Sequence, residues 1–155
     1  MTVKFGWSPG SPFTLIPATS LNALTDGAWV NPLALGGATY IFDNTTGTTI
    51  YGDAELILGT GVSIGSSGGR VDLYQLSSQN GTTFPSPGTA SAAIHVKHRV
   101  DSFVPVSSTT YIQDICKGIV MPPGKHAFAI NAKLGTNWPS TGCSLILYPY
   151  TEQAG

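Results

Sequence analysis

IHVKHRVD, residues 94–101, holds two of the three histidines and two of the seven Lys and Arg side chains of a 155-residue chain. Read at a period of two, Ile94, Val96, His98 and Val100 fall on one face and His95, Lys97, Arg99 and Asp101 on the other. One face is mostly apolar and the other is charged. A strand that covers a core on one side and meets water on the other needs that pattern, whereas a strand buried on both faces reads as an unbroken apolar run. The stretch therefore predicts an antiparallel, half-exposed sheet. Val96 and Val100 are its expected core anchors, His98 lies at the core's margin, and His95, Lys97 and Arg99 form a polar face turned to solvent or to a partner subunit. His95 and His98, three apart in a strand, point to opposite faces and cannot share an ion. Asp101 alone does not complete a tetrahedral site, so no metal is expected.

Outward from this stretch, short runs of strand propensity fill the chain: residues 21–29, 38–42, 54–58, 70–76, 92–100, 109–116, 119–121, 125–132 and 143–150. Breakers separate them, among them Asp43-Asn44, the glycines at 59–61, Asn80-Gly81 and the Pro-Pro-Gly at 122–124. No stretch of ten or more residues carries a 3.6 period. Short strands at close spacing predict an all-β fold, an antiparallel β-sandwich of jelly-roll-like kind, because one twisted sheet cannot enclose a core alone. In RVDLYQL (70–76) neither face is clean, so a partner subunit or a long loop is expected over it. HAFAINA (126–132) opposes Phe128 and Ile130 to Ala127, Ala129 and Asn131. CSLILYPY (143–150) is apolar on both faces, and Pro149, lacking a ladder donor, predicts an edge or exit there.

Residues 1–18 hold three prolines among Phe5, Trp7 and Phe13. Such a segment makes neither a helix interior nor a central strand, and it predicts an extended arm docking on a neighbour, followed by one sandwich domain over 19–155. Only 10% of residues are charged and the formal net charge is −1, which offers no steering field for nucleic acid or an anionic membrane. Neither a signal-peptide core nor an eighteen-residue apolar window is present, which predicts a chain made in a cytosol that stays soluble. Cys116 and Cys143 are accordingly expected as buried, reduced thiols.

The catalytic inventory is thin. Asp53 and Glu55 share a face if their stretch is a strand, the minimum for a pair of carboxylates dividing acid and base roles, but a solvated strand edge is the better reading of them. There is no nucleophile elbow, HExxH or CxxC, and the glycine-rich 59–69, with no Lys-Ser/Thr after it, reads as a flexible loop without phosphate logic. Trp7, Trp29 and Trp138 are candidates for a sugar-stacking platform.

TSLNALTDGAW (19–29), YIFDNTTGTTIYGDAELIL (40–58), VDLYQLSSQNGTTFP (71–85), GIVMPPGKHAFAINAKLG (118–135) and GCSLILYPY (142–150) occur in that order. Together they resemble a group of small structural proteins encoded by tailed bacteriophages. The shared pattern is a Ser-Leu-x-x-Leu element at 20–24, Asp43-Asn44, a Tyr-x-Asp-Ala strand at 51–54, a Gly-Thr-Thr-Phe-Pro loop at 81–85, Met-Pro-Pro at 121–123 and a closing Tyr-rich strand. The resemblance implies a non-enzymatic virion component without cofactor, most simply a capsid decoration or cement protein on the outer capsid surface. Its implied partners are the major capsid protein or other virion subunits, and a homo-oligomer, with a trimer among the candidates. The alternatives are a tail or fibre component, or a carbohydrate-binding receptor module. Phe5, Trp7, Phe13, Lys97 and Arg99 are the expected partner-binding residues. No catalytic, cofactor or metal residue is expected.

Overall fold

Two antiparallel sheets face each other in the computed structural model, which describes residues 6–35, 38–60, 62, 64, 69–85, 94, 96–106 and 112–153. The first sheet contains β1 (Gly6–Pro9), β2 (Phe13–Ile16), β5 (Thr49–Leu58), β8 (Ile112–Val120) and β10 (Ser144–Gln153). The second contains β3 (Trp29–Val30), β4 (Ile41–Asn44), β6 (Arg70–Ser78), β7 (Arg99–Phe103) and β9 (Gly124–Lys133). Each sheet has the same plan. A long strand, β10 or β9, carries two short strands along one edge, β1 and β2 or β3 and β4, and a long strand on the other, β5 or β6; β8 and β7 close the far sides.

Alternation selects what faces inward. In β5, Ala54, Leu56 and Leu58 are buried, and the register sets Leu145 of β10 opposite Leu56 and Leu147 opposite Ala54. From the second sheet come Val71, Leu73, Phe128, Ile130 and Ala132, which join them in one core. Both faces of the second sheet are occupied. Tyr74, Leu76, Ala127 and Ala129 point away from that core into a second cluster, covered by Trp29, Leu33, Phe84 and Ile94. The mixed pattern of RVDLYQL follows from this, and its cover comes from loops of the same chain.

Several expectations change. First, the segment 94–101 is not one strand: Ile94 is buried, Val96–His98 is a 3-10 turn, and β7 begins at Arg99. Val96 is 62% and Val100 41% exposed, so neither anchors the core. The 3-10 turn breaks the period of two, and β7 slips register against β6 between Leu73 and Tyr74. Val96→Ala should therefore change stability by no more than about 0.5 kcal/mol in urea denaturation, and a loss above about 1.5 kcal/mol would return it to the core.

Second, residues 6–16 do not leave the sandwich. β1 and β2 pair with β10, and Leu15 and Ile16 are wholly buried. Residues 1–5 lie outside the described residues. Third, Pro149 is not at an edge, because β10 has neighbours on both sides. It is tolerated at the break between β1 and β2, where its carbonyl accepts from the Gly10 amide at 2.7 Å and no strand partner is waiting for the N–H it lacks. A Cβ at Gly10 would sit 3.0 Å from the Pro149 ring, so the approach favours glycine there.

Fourth, 21–29 is no strand. It holds the end of a one-turn helix α1 (Ala18–Leu21) and turns, with β3 only at its close. Residues 38–40 are likewise a 3-10 turn before β4. Leu21 and Leu24 reach the core from these irregular turns, so burial was served without extension. The glycine-rich segment is also partly packed: Val62 is buried, Ile64 lies against the core, and a Cβ on Gly59 would collide with the Thr141 carbonyl.

Candidate docking surfaces

The five expected partner-binding residues separate. Phe5 lies outside the described residues, and Trp7 occupies β1 opposite Glu152. Phe13 is half-buried, packed on the core edge-to-face with Phe42 at 5.4 Å between centroids, which makes it part of the fold. Lys97 is exposed in the 3-10 turn. Arg99 has a partner within the chain.

That partner is Asp72. Its side chain is 1% exposed, on the outer face of β6 beside Tyr74, and register brings Ser102 of β7 and Asn131 of β9 level with it. Oδ1 accepts from Arg70 Nε at 2.8 Å and from the Ser102 hydroxyl at 2.6 Å, with Arg99 Nη1 at 3.6 Å; Oδ2 accepts from Lys133 Nζ at 2.9 Å. Burial pushes this carboxyl up, but the Ser102 hydroxyl, Lys133 and Arg70 outweigh it and hold it below the usual carboxylate range. A carboxylate so compensated stays ionised, and it gathers both arginines of the chain into one place. The gathering depends on which strands pair, and nothing local signals that.

The outer face of the first sheet is different in character. Tyr51, Asp53, Glu55 and Ile57 of β5 alternate with its buried positions, as do Ile146, Tyr148 and Tyr150 of β10. Asp53 and Glu55 do share this face, as the period of two required. Asp53 Oδ1 accepts from the Gly118 amide at 2.8 Å. Glu55 accepts from Gln113 Nε2 at 2.7 Å and from the Tyr148 hydroxyl at 3.3 Å. Desolvation and the neighbouring carboxylates, Glu55 for Tyr148 and Asp53 for Tyr150, raise both phenols, so they remain neutral donors. Among the described residues neither carboxylate has a cation within 4 Å.

A third set of exposed groups is apolar. Val96, Val100, Val104 and Val106 stand 62%, 41%, 59% and 81% exposed on and beside β7, an edge strand of the second sheet. Two of the three tryptophans are committed to packing: Trp138 is in the core, and Trp29 tilts on Tyr74 with 4.9 Å between centroids; the side chain of Trp7 lies outside the described residues.

His126 of β9 is fully buried, and Nδ1 meets the Ser77 hydroxyl at 2.9 Å and Gln75 Nε2 at 3.2 Å, while Nε2 lies 2.7 Å from the Pro122 carbonyl. The carbonyl requires the proton on Nε2, so Nδ1 accepts from both side chains. With its lone pair shared by two donors and the ring itself buried, this imidazole is a poor base, and the Ser77–His126 pair is a structural tie between β6 and β9. Burial lowers its pKa, against a smaller upward pull from the Pro122 carbonyl. The unfolded chain therefore binds the proton first. Stability contributed here is complete above the unfolded value of about 6.5 and is lost as pH falls below it, with a limiting slope of about 1.4 kcal/mol per pH unit. Urea denaturation between pH 7.5 and 5 should show that slope, reduced in His126→Gln; equal slopes in both proteins would mean that His126 titrates freely.

Cys116 and Cys143 are both buried and unpaired. Burial, and for Cys116 the carboxylate of Asp101, pushes both thiols up, which keeps them protonated and unreactive.

No protein-family model, curated protein or solved structure matches this chain.

Proposed function

We propose that this chain is a non-enzymatic structural subunit of a tailed-phage virion, in the first place a decoration or cement protein bound to the outer surface of the capsid shell. The observation that carries the reading is the valine set around β7, with Val106 81% exposed. Solvent-exposed apolar side chains on an edge strand are unfavourable unless a partner covers them. The low charge of 10% suits a surface largely covered by neighbours, and the class is taken from the resemblance of the ordered motifs to those of phage structural proteins. The partner is the major capsid protein or another virion subunit, and copies arrayed on a lattice gain avidity from weak individual contacts. Synthesis in the host cytoplasm and the jelly-roll-like classification of the sandwich belong to the same reading, as does a tail or fibre position as its variant.

Purified chain should bind capsid shells of the phage that encodes it in a co-sedimentation assay. Val104→Asp and Val106→Asp should weaken binding at least tenfold while leaving the melting curve within a few degrees. Binding to tails alone would move the protein to the tail. Binding to glycans, with none to virion parts, would replace the proposal by a carbohydrate-binding module.

A further inference from the structure

The two outer faces of the sandwich are complementary in charge. On the second sheet, Arg70, Arg99 and Lys133 surround the single carboxylate of Asp72, which leaves two positive charges in excess on side chains 47%, 41% and 44% exposed. Arg70 uses Nε on Asp72, so its terminal N–H groups stay outside that bond, in the fork geometry that matches another carboxylate. On the first sheet, Asp53 and Glu55 supply two negative charges without a cation within 4 Å among the described residues. Around them stand Tyr148, Tyr150 and Ile146, half-buried, and Lys117 stands in the irregular stretch of β8 opposite Asp53, between the Gly52–Ile119 and Ala54–Cys116 pairs, beyond 4 Å of either carboxylate. No described segment covers this face in the way that Phe84 and Ile94 cover part of the opposite sheet.

We infer that the occupant of the first sheet's outer face is a second copy of this chain, presenting its Arg70–Arg99–Lys133 cluster to Asp53 and Glu55. Because the two patches lie on opposite sides of the sandwich, the contact is head-to-tail. The pair keeps one patch of each sign free, one on each copy, so association continues into stacks or rings instead of stopping at a dimer. Charge complementarity sets the register of the contact, and the tyrosines and Ile146 provide area to bury. The inference does not depend on the virion reading, since both patches belong to this chain.

Sedimentation velocity of the full chain at roughly 50 mM salt, up to about 1 mM protein, tests it. The expected result is concentration-dependent growth beyond a dimer that is lost at roughly 0.5 M salt. Asp53→Lys/Glu55→Lys and, separately, Arg99→Glu should each sediment as monomers with unchanged far-ultraviolet circular dichroism. Arg99 is replaced because its contact with Asp72, at 3.6 Å, is the longest of the three. The isosteric pair Asp53→Asn/Glu55→Gln repeats the test without introducing new charge. Mixing the lysine double variant with Arg99→Glu should yield a one-to-one dimer that grows no further, because one retains the cation cluster and the other the carboxylate face. A wild-type chain that stays monomeric at low salt, or a mixture that forms no dimer, overturns the inference.

Discussion

Asn44→Asp should lose about 4 kcal/mol or more of stability, enough to leave the protein largely unfolded under mild denaturant, although the substitution is isosteric. Asn44 closes β4 with its side chain 1% exposed. Its Nδ2 donates to the carbonyls of Thr49 at 2.8 Å, Met121 at 2.9 Å and Pro122 at 3.2 Å, and its Oδ1 accepts from the Thr49 amide at 3.0 Å. One side chain thereby closes the turn into β5 and ties it to the connection between β8 and β9. Aspartate would place an oxyanion against three carbonyl oxygens, out of water, with only the Thr49 amide as donor. The carboxyl would respond by raising its pKa, so the defect should be milder near pH 4 than at pH 7. Asn44→Ala removes the donor without adding charge and should cost about 2–4 kcal/mol, whereas Thr46→Ala, at an exposed position of the same turn, should stay within about 0.5 kcal/mol. Urea denaturation of the three variants decides the matter. Asn44→Asp within 1 kcal/mol of wild type would dismiss the tie.

Deletion of residues 2–16 should abolish cooperative unfolding. β1 and β2 form one flank of β10 along most of its length, and the deletion strips that flank of its hydrogen bonds. It also removes Leu15 and Ile16, both fully buried, together with Phe13 against Phe42. Truncating a single buried Leu or Ile costs about 2–5 kcal/mol, and a domain of this size holds about 5–15 kcal/mol in total. The combined loss therefore matches or exceeds the stability available. Leu15→Ala, the milder companion, should lower the urea midpoint by the equivalent of about 2–4 kcal/mol and leave the transition two-state with an unchanged m-value. A cooperative transition in the deleted chain would return the segment to an independent arm.

The long strands were legible because their alternation is long and unopposed. TIYGDAELIL places Ala54, Leu56 and Leu58 on one side and Asp53 and Glu55 on the other, and that division survives in β5. HAFAINA likewise predicted that Phe128 and Ile130 oppose Ala127 and Ala129, and these pairs enter the two different clusters on either side of β9. The eight residues of IHVKHRVD alternated as well, yet among the described residues only its last three belong to a strand. A short alternating pattern has no means of registering a 3-10 turn within it.

Sequence alone determined the class of the fold: antiparallel, all-β, layered around an apolar core, since alternation is a local consequence of the pleat and one-sided burial. Tertiary structure alone decided which residues act together. Asp72 meets Lys133 across 61 positions and Asn44 meets Met121 across 77, because strand order and register, which sum small packing terms over the entire core, set those neighbours. The same cause put Pro149 inside a sheet and Val96 outside the core. Each side chain's local preference was weaker than the gain from pairing β10 on both edges and covering β6 on both faces.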